Sequence, residues 1–325
     1  MKRVLWGALL LLCAAVLIGC MKDAQPTYTT PEYNTDPEYI LTTDHTNTTD
    51  PEPSSEETEE SSVETSEPEA TEPEATESPL TAGWVERNGK QYYRLDNGDL
   101  KSGWLVLDGE RYYFDEDYAM VTGCVEIPGY GKTYFDYSGK EVILANPWNY
   151  ISDEYTVKLG EHKGYSMAKH IVSPLKQMLS DCKEAGYTAI VCSAYRSHND
   201  QIYLHNRRIQ RFLDQGYSEE EAKREAARRV AIPGTSEHEL GLALDIVDIN
   251  YQNLDEKQET MPAQKWLMAN SWRYGFVLRY PNHKSETTGI IYEPWHYRYV
   301  GVELAQKLYE SGMCLEEYLQ TLPTR

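Results

Sequence analysis

Residues 235–245 read T-S-E-H-E-L-G-L-A-L-D and run on into Ile246 and Val247. From Leu240 onward the stretch is apolar apart from Asp245, the pattern of a strand buried on both faces. A carboxylate in such a strand is costly unless something pairs with it. The fold must therefore supply Asp245 with a partner, and His238 at the head of the run is the nearest candidate. Side chains alternate along a straight strand, so residues seven apart point to opposite faces. His238 and Asp245 can meet only if the chain turns before the strand or bulges near Gly241.

The chain has 325 residues, a formal net charge of −21 and a pI of about 4.8, a balance that argues against nucleic acid as the main partner. Much of the acidity lies before residue 80. Lys2 and Arg3 precede an apolar run, Val4 to Ile18, that is short for a membrane span and fits an export signal. It ends Leu17-Ile18-Gly19-Cys20, which resembles the lipobox of bacterial lipoproteins. The resemblance implies a signal over residues 1–20, a lipidated Cys20, and a mature chain outside the cytoplasmic membrane; an uncleaved anchor helix is the alternative. Residues 21–80, almost only Glu, Ser, Thr, Pro and Ala from Thr49 to Pro79, are too poor in apolar side chains to offset chain entropy and read as an extended acidic linker.

Residues 81–145 carry an internal repeat. Gly83-Trp84 is followed by Gln91-Tyr92-Tyr93, Gly103-Trp104 by Arg111-Tyr112-Tyr113-Phe114, and Thr122-Gly123-Cys124 by Lys132-Thr133-Tyr134-Phe135. Asn88-Gly89 and Asp108-Gly109 supply hairpin turns. The units resemble the cell-wall-binding (choline-binding-like) repeats of Gram-positive surface proteins, which implies shallow aromatic ligand pockets. A structural spacer is the plainer reading, and Cys124 in place of Trp weakens the third pocket.

From residue 148 to 325 the pattern is that of a compact α+β domain. Helical periodicity covers Ser166 to Ala185, Asp200 to Leu213, a segment from Ser218 with a Ser218–Glu221 capping box, Pro262 to Tyr274, and a stretch from Val302. Strands are expected at Thr188 to Cys192, in the opening run, at Phe276 to Tyr280 and near Ile290 to Tyr292. Cys124, Cys182, Cys192 and Cys314 match no zinc-ribbon spacing. Cys182 and Cys192 could pair in an oxidising compartment, or remain buried thiols.

A second polar cluster, Glu293-Pro294-Trp295-His296-Tyr297-Arg298, completes a chemical set. Two imidazoles and one carboxylate, His238, His296 and Asp245, suit a catalytic zinc, which takes three protein ligands and keeps a position open. Glu293, three residues from His296, is the natural general base for an attacking water.

S-E-H-E-L-G-L-A-L-D resembles the S-x-H-x-x-G-x-A-x-D signature of the VanY-type D-alanyl-D-alanine carboxypeptidases, and E-P-W-H resembles their E-x-W-H motif. Ser193-Ala194-Tyr195-Arg196-Ser197 with Gln201 is similar to their S-G-Y-R-S-x-x-x-Q, with Ala194 for Gly. The three motifs fall in family order over residues 148–320. The resemblance implies a small antiparallel sheet with flanking helices (a D,D-peptidase/hedgehog-like fold) behind the hairpin module. It also implies a zinc peptidase that removes the C-terminal D-Ala from peptidoglycan stem peptides. Carried across, His238, Asp245 and His296 hold Zn²⁺, Glu293 activates water and Arg196 stabilises the oxyanion. Ser193, Gln201, Ser236 and Trp295 line the substrate pocket.

The expected setting is the outer face of the cytoplasmic membrane, lipid-anchored, in the wall of a Gram-positive bacterium, with wall polymers as possible ligands of the repeats. The same ligand set also fits an L,D-carboxypeptidase, a D,D-dipeptidase or an endopeptidase, and a wall-binding protein with a retired site is the reading from another class. The basic run from Arg207 to Arg229 reads as a solvated helix pair, or as a face for anionic wall polymers.

Overall fold

The computed structural model describes residues 81–324. The signal, Cys20 and the 21–80 linker lie outside the described residues. Residues 81–145 form three antiparallel hairpins: β1 (Gly83–Arg87) with β2 (Lys90–Arg94), β3 (Gly103–Leu107) with β4 (Glu110–Phe114), and β5 (Gly123–Ile127) with β6 (Gly131–Phe135). Asn88-Gly89 and Asp108-Gly109 all take positive φ, which matches the right-handed twist of the flanking strands. The repeat register holds: Trp84 faces Tyr93, Trp104 faces Tyr113, and Cys124 faces Tyr134.

Aromatic rings from successive hairpins interlock. Trp84 packs edge-on against Tyr112 at 5.1 Å, and Trp104 lies 5.0 Å from Tyr130 and 5.8 Å from Phe135. The Arg111 guanidinium sits 4.3 Å from the Trp104 ring centre and ion-pairs with Glu141 at 3.1 Å. The third hairpin is fastened to the chain's end, where Cys124 N–H donates to the Pro323 carbonyl at 2.8 Å.

The following domain opens with a hairpin, β7 (Leu159–His162) and β8 (Tyr165–Ala168), then α1 (Val172–Glu184), β9 (Ala189–Ser193), α2 (His198–Leu213), α3 (Glu219–Ala227), β10 (Ala243–Asp248) and α4 (Pro262–Asn270). It closes with β11 (Phe276–Leu278), the short α5 (Ser285–Thr288), β12 (His296–Tyr299), α6 (Val302–Ser311) and α7 (Leu315–Gln320). One four-stranded sheet, ordered β11-β12-β10-β9 and antiparallel throughout, carries the site. Helices flank it, as the α+β expectation requires. Every residue of β10 is buried, and Leu244 and Ile246 pack with Leu175, Met178 and Cys182 of α1 in one core. Among the described residues no helix is long and apolar enough to cross a membrane.

Three boundary expectations are corrected. The helix expected from Ser166 begins as strand β8, because Lys163 and Gly164, both at positive φ, fold a hairpin there; α1 starts only at Val172. The helix expected over Pro262 to Tyr274 ends at Asn270, and a 3₁₀ turn continues to Gly275, whose φ of +84° stops it. Ile290 to Tyr292 is not a strand. Ile291 N–H instead donates to the Arg228 carbonyl, and the pairing strand is β12, six residues further on. Ser197 with Asp200 and Ser218 with Glu221 form capping boxes on α2 and α3. Cys182 and Cys192 are free thiols.

Candidate active site

The turn expected before the central strand is present. Gly241 has φ +70°, its N–H donates to the His238 carbonyl, and its own carbonyl accepts from Ala168 N–H at 2.9 Å. A Cβ at Gly241 would stand 3.0 Å from the Ala168 nitrogen. The turn swings His238 back over β10, while β12 sets His296 directly across from Asp245. The His238, Asp245 and His296 donor atoms lie within 4.8 Å of one another, and all three residues are buried.

The two imidazoles are oriented by what their far nitrogens meet. His238 Nδ1–H donates to the Ala194 carbonyl at 2.7 Å, which leaves Nε2 facing Asp245 Oδ1 at 3.5 Å. His296 uses the other edge: Nδ1 lies 3.2 Å from Asp245 Oδ1, and Nε2 lies 3.6 Å from Glu237 Oε2. Asp245 Oδ1 is buried and has no hydrogen-bond partner. Three donors thus converge on a point without bonding one another, an arrangement that is costly unless a cation occupies the point. The residues fit a divalent metal, and two imidazoles with one carboxylate suit zinc.

The electrostatics couple these groups tightly: burial would lower His296, but its contacts with Asp245 and Glu237 outweigh that and push it up to about 9, so a metal bound there would displace a proton. For Asp245, burial alone would raise the carboxyl; His238, His296 and Arg196 outweigh it and hold the carboxyl well below its usual range. Burial, then the Arg196 charge, push His238 down to about 4, so it is a neutral donor at neutral pH. Burial pushes the Glu293 carboxyl up to about 8, with Asp245 adding to the rise. Glu293 Oε2 lies 3.6 Å from His296 Nδ1, on the cavity side of the donor set.

Arg196 follows β9 and is held on several sides. Its Nη2 donates to Asp245 Oδ2 at 3.0 Å and to Ser193 Oγ at 2.9 Å, and its Nη1 reaches Gln201 Oε1 at 3.5 Å. Gln201, fully buried, is itself anchored to the Ala231 carbonyl. Ser193 and Gln201 therefore stand behind Arg196, whereas Ser236 and Trp295 line the open cavity of about 800 Å³ together with Arg196, Glu293 and the donor set.

Sequence reasoning passed over Glu237. It is wholly buried, with Oε1 accepting from Arg279 at 2.6 Å and from Arg298 at 2.8 Å, while Oε2 faces His296. Arg279 goes on to grip Glu316 of α7 through both terminal nitrogens. The available signal was the placement of Glu237 beside a candidate ligand at the head of an apolar run, a poor place for an unpaired charge.

A buried His–Asp–His donor set beneath a high-pKa carboxylate and a fixed guanidinium, on a small antiparallel sheet, defines a mononuclear zinc hydrolase. The comparisons narrow this. VanY, D-alanyl-D-alanine carboxypeptidase, matches residues 164–302. A D-alanyl-D-alanine carboxypeptidase of Enterococcus faecalis (strain ATCC 700802 / V583) is 43% identical over 182 residues, which cover 55% of this chain and 66% of that protein, just short of two thirds of its length. The solved structure of VanYB in complex with D-alanine-D-alanine is 40% identical with a TM-score of 0.51, covering 55% of this chain and 97% of that one. A mutant of the vancomycin resistance D,D-pentapeptidase VanY from a VanB-type cassette, in complex with Zn(II), matches at 40% identity and TM-score 0.50, covering 55% of this chain and 97% of that one. The chain belongs to the VanY family of D-alanyl-D-alanine carboxypeptidases, and its cofactor is zinc.

Proposed function

We propose that the domain from residue 148 is a zinc D,D-carboxypeptidase that removes the terminal D-Ala from peptidoglycan stem peptides. The observation that carries this is the convergence of His238 Nε2, Asp245 Oδ1 and His296 Nδ1 on one buried point at the floor of an open cavity, with Glu293 beside it. His238, Asp245 and His296 would hold the metal, which when bound supplies Lewis acidity to the scissile carbonyl and to the attacking water. Glu293 accepts the water's proton and delivers it to the departing amine; its carboxylate lines the cavity 3.6 Å from His296 Nδ1, beside the donor set. Arg196 stabilises the negative charge that develops on the carbonyl oxygen. It needs no reorganisation to do so, because Asp245, Ser193 and Gln201 already fix it.

The N-terminal features give the enzyme an address. In this reading Cys20 carries a lipid, the acidic 21–80 linker extends from the membrane, and the hairpins place the domain in the wall. The aromatic joints between hairpins support a wall-contact role, and Arg111 stacked on Trp104 fills one of them from within the chain. Zinc-loaded protein incubated with stem tetra- and pentapeptides, with products read by mass, tests the specificity. Release of one alanine from the pentapeptide alone supports the D,D reading, and release from the tetrapeptide alone replaces it with an L,D one.

A further inference from the structure

Helix α2 turns one stripe towards the active-site cavity. Gln201 stands at the Arg196 end of that stripe, and Leu204 and Arg208, three and seven residues on, line the cavity. The other cations on this wall are paired. Arg196 is bonded to Asp245 and Ser193, and Arg229 is bonded to Glu225 at 2.8 Å. Arg208, half-buried, makes no hydrogen bond or ion pair among the described residues. Burial disfavours its charge, as do Arg211, Arg229 and Arg207 around it, and Glu293 is the countercharge that offsets them. Asp255, Glu256 and Lys257 also line the cavity, and Asp255 accepts from the Tyr251 hydroxyl. The cavity therefore has one wall whose Arg208 makes no direct ion pair, and a guanidinium in such a position is matched by a carboxylate.

The position along the helix says which carboxylate. Seven residues of α-helix advance about 10 Å, and an extended peptide covers about 3.3–3.6 Å per residue. With the scissile carbonyl at Arg196, Arg208 stands about three residues away. In an enzyme that removes a single terminal residue, a site three residues away can only lie on the N-terminal side. We propose that Arg208 binds a free carboxylate carried by the stem peptide about three residues before the scissile bond. This rests on the carboxypeptidase reading of the site. Arg208 then reads whether the stem carries an acid or an amide at that residue. The terminal carboxylate of the substrate is the other source of the same chemistry, and it lies only one residue from the carbonyl.

The test is equilibrium binding by calorimetry to the full zinc-loaded chain carrying Glu293→Gln, so that the peptide is not consumed, with and without Arg208→Gln. The probes are two pentapeptides ending in D-Ala–D-Ala, one with a free carboxylate at its second residue and one with a carboxamide there. Arg208→Gln is expected to weaken the acid form about tenfold and leave the amide form unchanged, with Arg208→Lys recovering part of the loss. An equal loss on both peptides would overturn the upstream placement and assign Arg208 to the terminal carboxylate. Unchanged affinity for both would overturn the anion site altogether. Failure of the functional reading looks different: the chain with Glu293 intact would bind the peptides and release no alanine.

Discussion

Glu237 Oε2 lies 3.6 Å from His296 Nε2, just beyond hydrogen-bond reach, and both atoms are buried without a hydrogen-bond partner. Each is aimed at the other by forces from outside the pair: Arg279 and Arg298 fix the carboxylate, and β12 fixes the ring. A carboxylate facing Nε2 favours the tautomer protonated there and would leave Nδ1 for a metal, a relationship that metal-ligating histidines commonly use. Glu237→Gln should lower zinc affinity by about 10–100-fold, read by competition with a chromophoric chelator. It should also cost about 3 kcal/mol of stability, because Arg298 is left without a charge partner in the core. Unchanged zinc affinity would reduce Glu237 to a structural counter-ion.

Arg196 is held by a bidentate approach to Ser193 and by single contacts to Asp245 and Gln201. A lysine cannot reproduce that fork. Arg196→Lys should lower kcat about 10²-fold, with zinc content unchanged by metal analysis. A variant that kept its kcat would remove Arg196 from the oxyanion role.

Gly241 holds the turn on which His238 depends. Its φ is +70°, and an added Cβ would crowd the Ala168 nitrogen at 3.0 Å, where backbone cannot move aside cheaply. Gly241→Ala should destabilise the domain by about 1–3 kcal/mol, measured by urea unfolding, and should weaken zinc binding along with it. A stable variant with normal zinc affinity would show that the turn tolerates a side chain.

The hairpin module carries its own pH signature. Burial pushes Glu141 up to about 7 even with the Arg111 guanidinium 3.1 Å away. Below about pH 4.5 both folded and unfolded chains hold this proton. Between there and pH 7 the folded chain keeps a proton that the unfolded chain has lost, so stability falls as pH rises, and above pH 7 the loss is complete. The loss is on the order of 3 kcal/mol. The stability difference between wild type and Glu141→Gln, from denaturant melts at pH 5 and pH 8, should shift by about that amount in favour of the variant at pH 8. A difference that does not vary with pH would mean that Glu141 is ionised in the fold.

Much of the site was legible because its chemistry violates the apolar pattern around it. Asp245 in a buried strand and His238 at its head required a turn at or before Gly241, and the turn is there. The hairpin repeats were equally plain, since Asn-Gly and Asp-Gly leave little choice of turn. What the sequence hid was set by long-range pairing. The strand β12 was missed because Glu293 to Arg298 reads as a polar motif, and burial of Arg298 depends on Glu237, sixty-one residues earlier. Ser193 and Gln201 read as pocket residues because they flank Arg196; their bonds to that guanidinium appear only once β9 and α2 are folded. The β7–β8 hairpin was lost to helical periodicity that continues through Met167 and Ile171 into α1, although Lys163-Gly164 marked the turn.

In the proposed function, His238, Asp245 and His296 hold a zinc ion at which Glu293 activates water to release one terminal residue. The most direct measurement is the mass of a D-Ala–D-Ala-terminated pentapeptide after incubation with zinc-loaded protein, chelated protein, zinc-restored protein and the Glu293→Gln variant. A single alanine should be lost with the loaded and restored protein, and the peptide should stay intact with the chelated one. With Glu293→Gln, turnover should be slowed by about 10²–10⁴-fold at full zinc occupancy. Cleavage that survives chelation would rule out a zinc-dependent reaction, and Glu293→Gln turning over at the wild-type rate would remove Glu293 as the base.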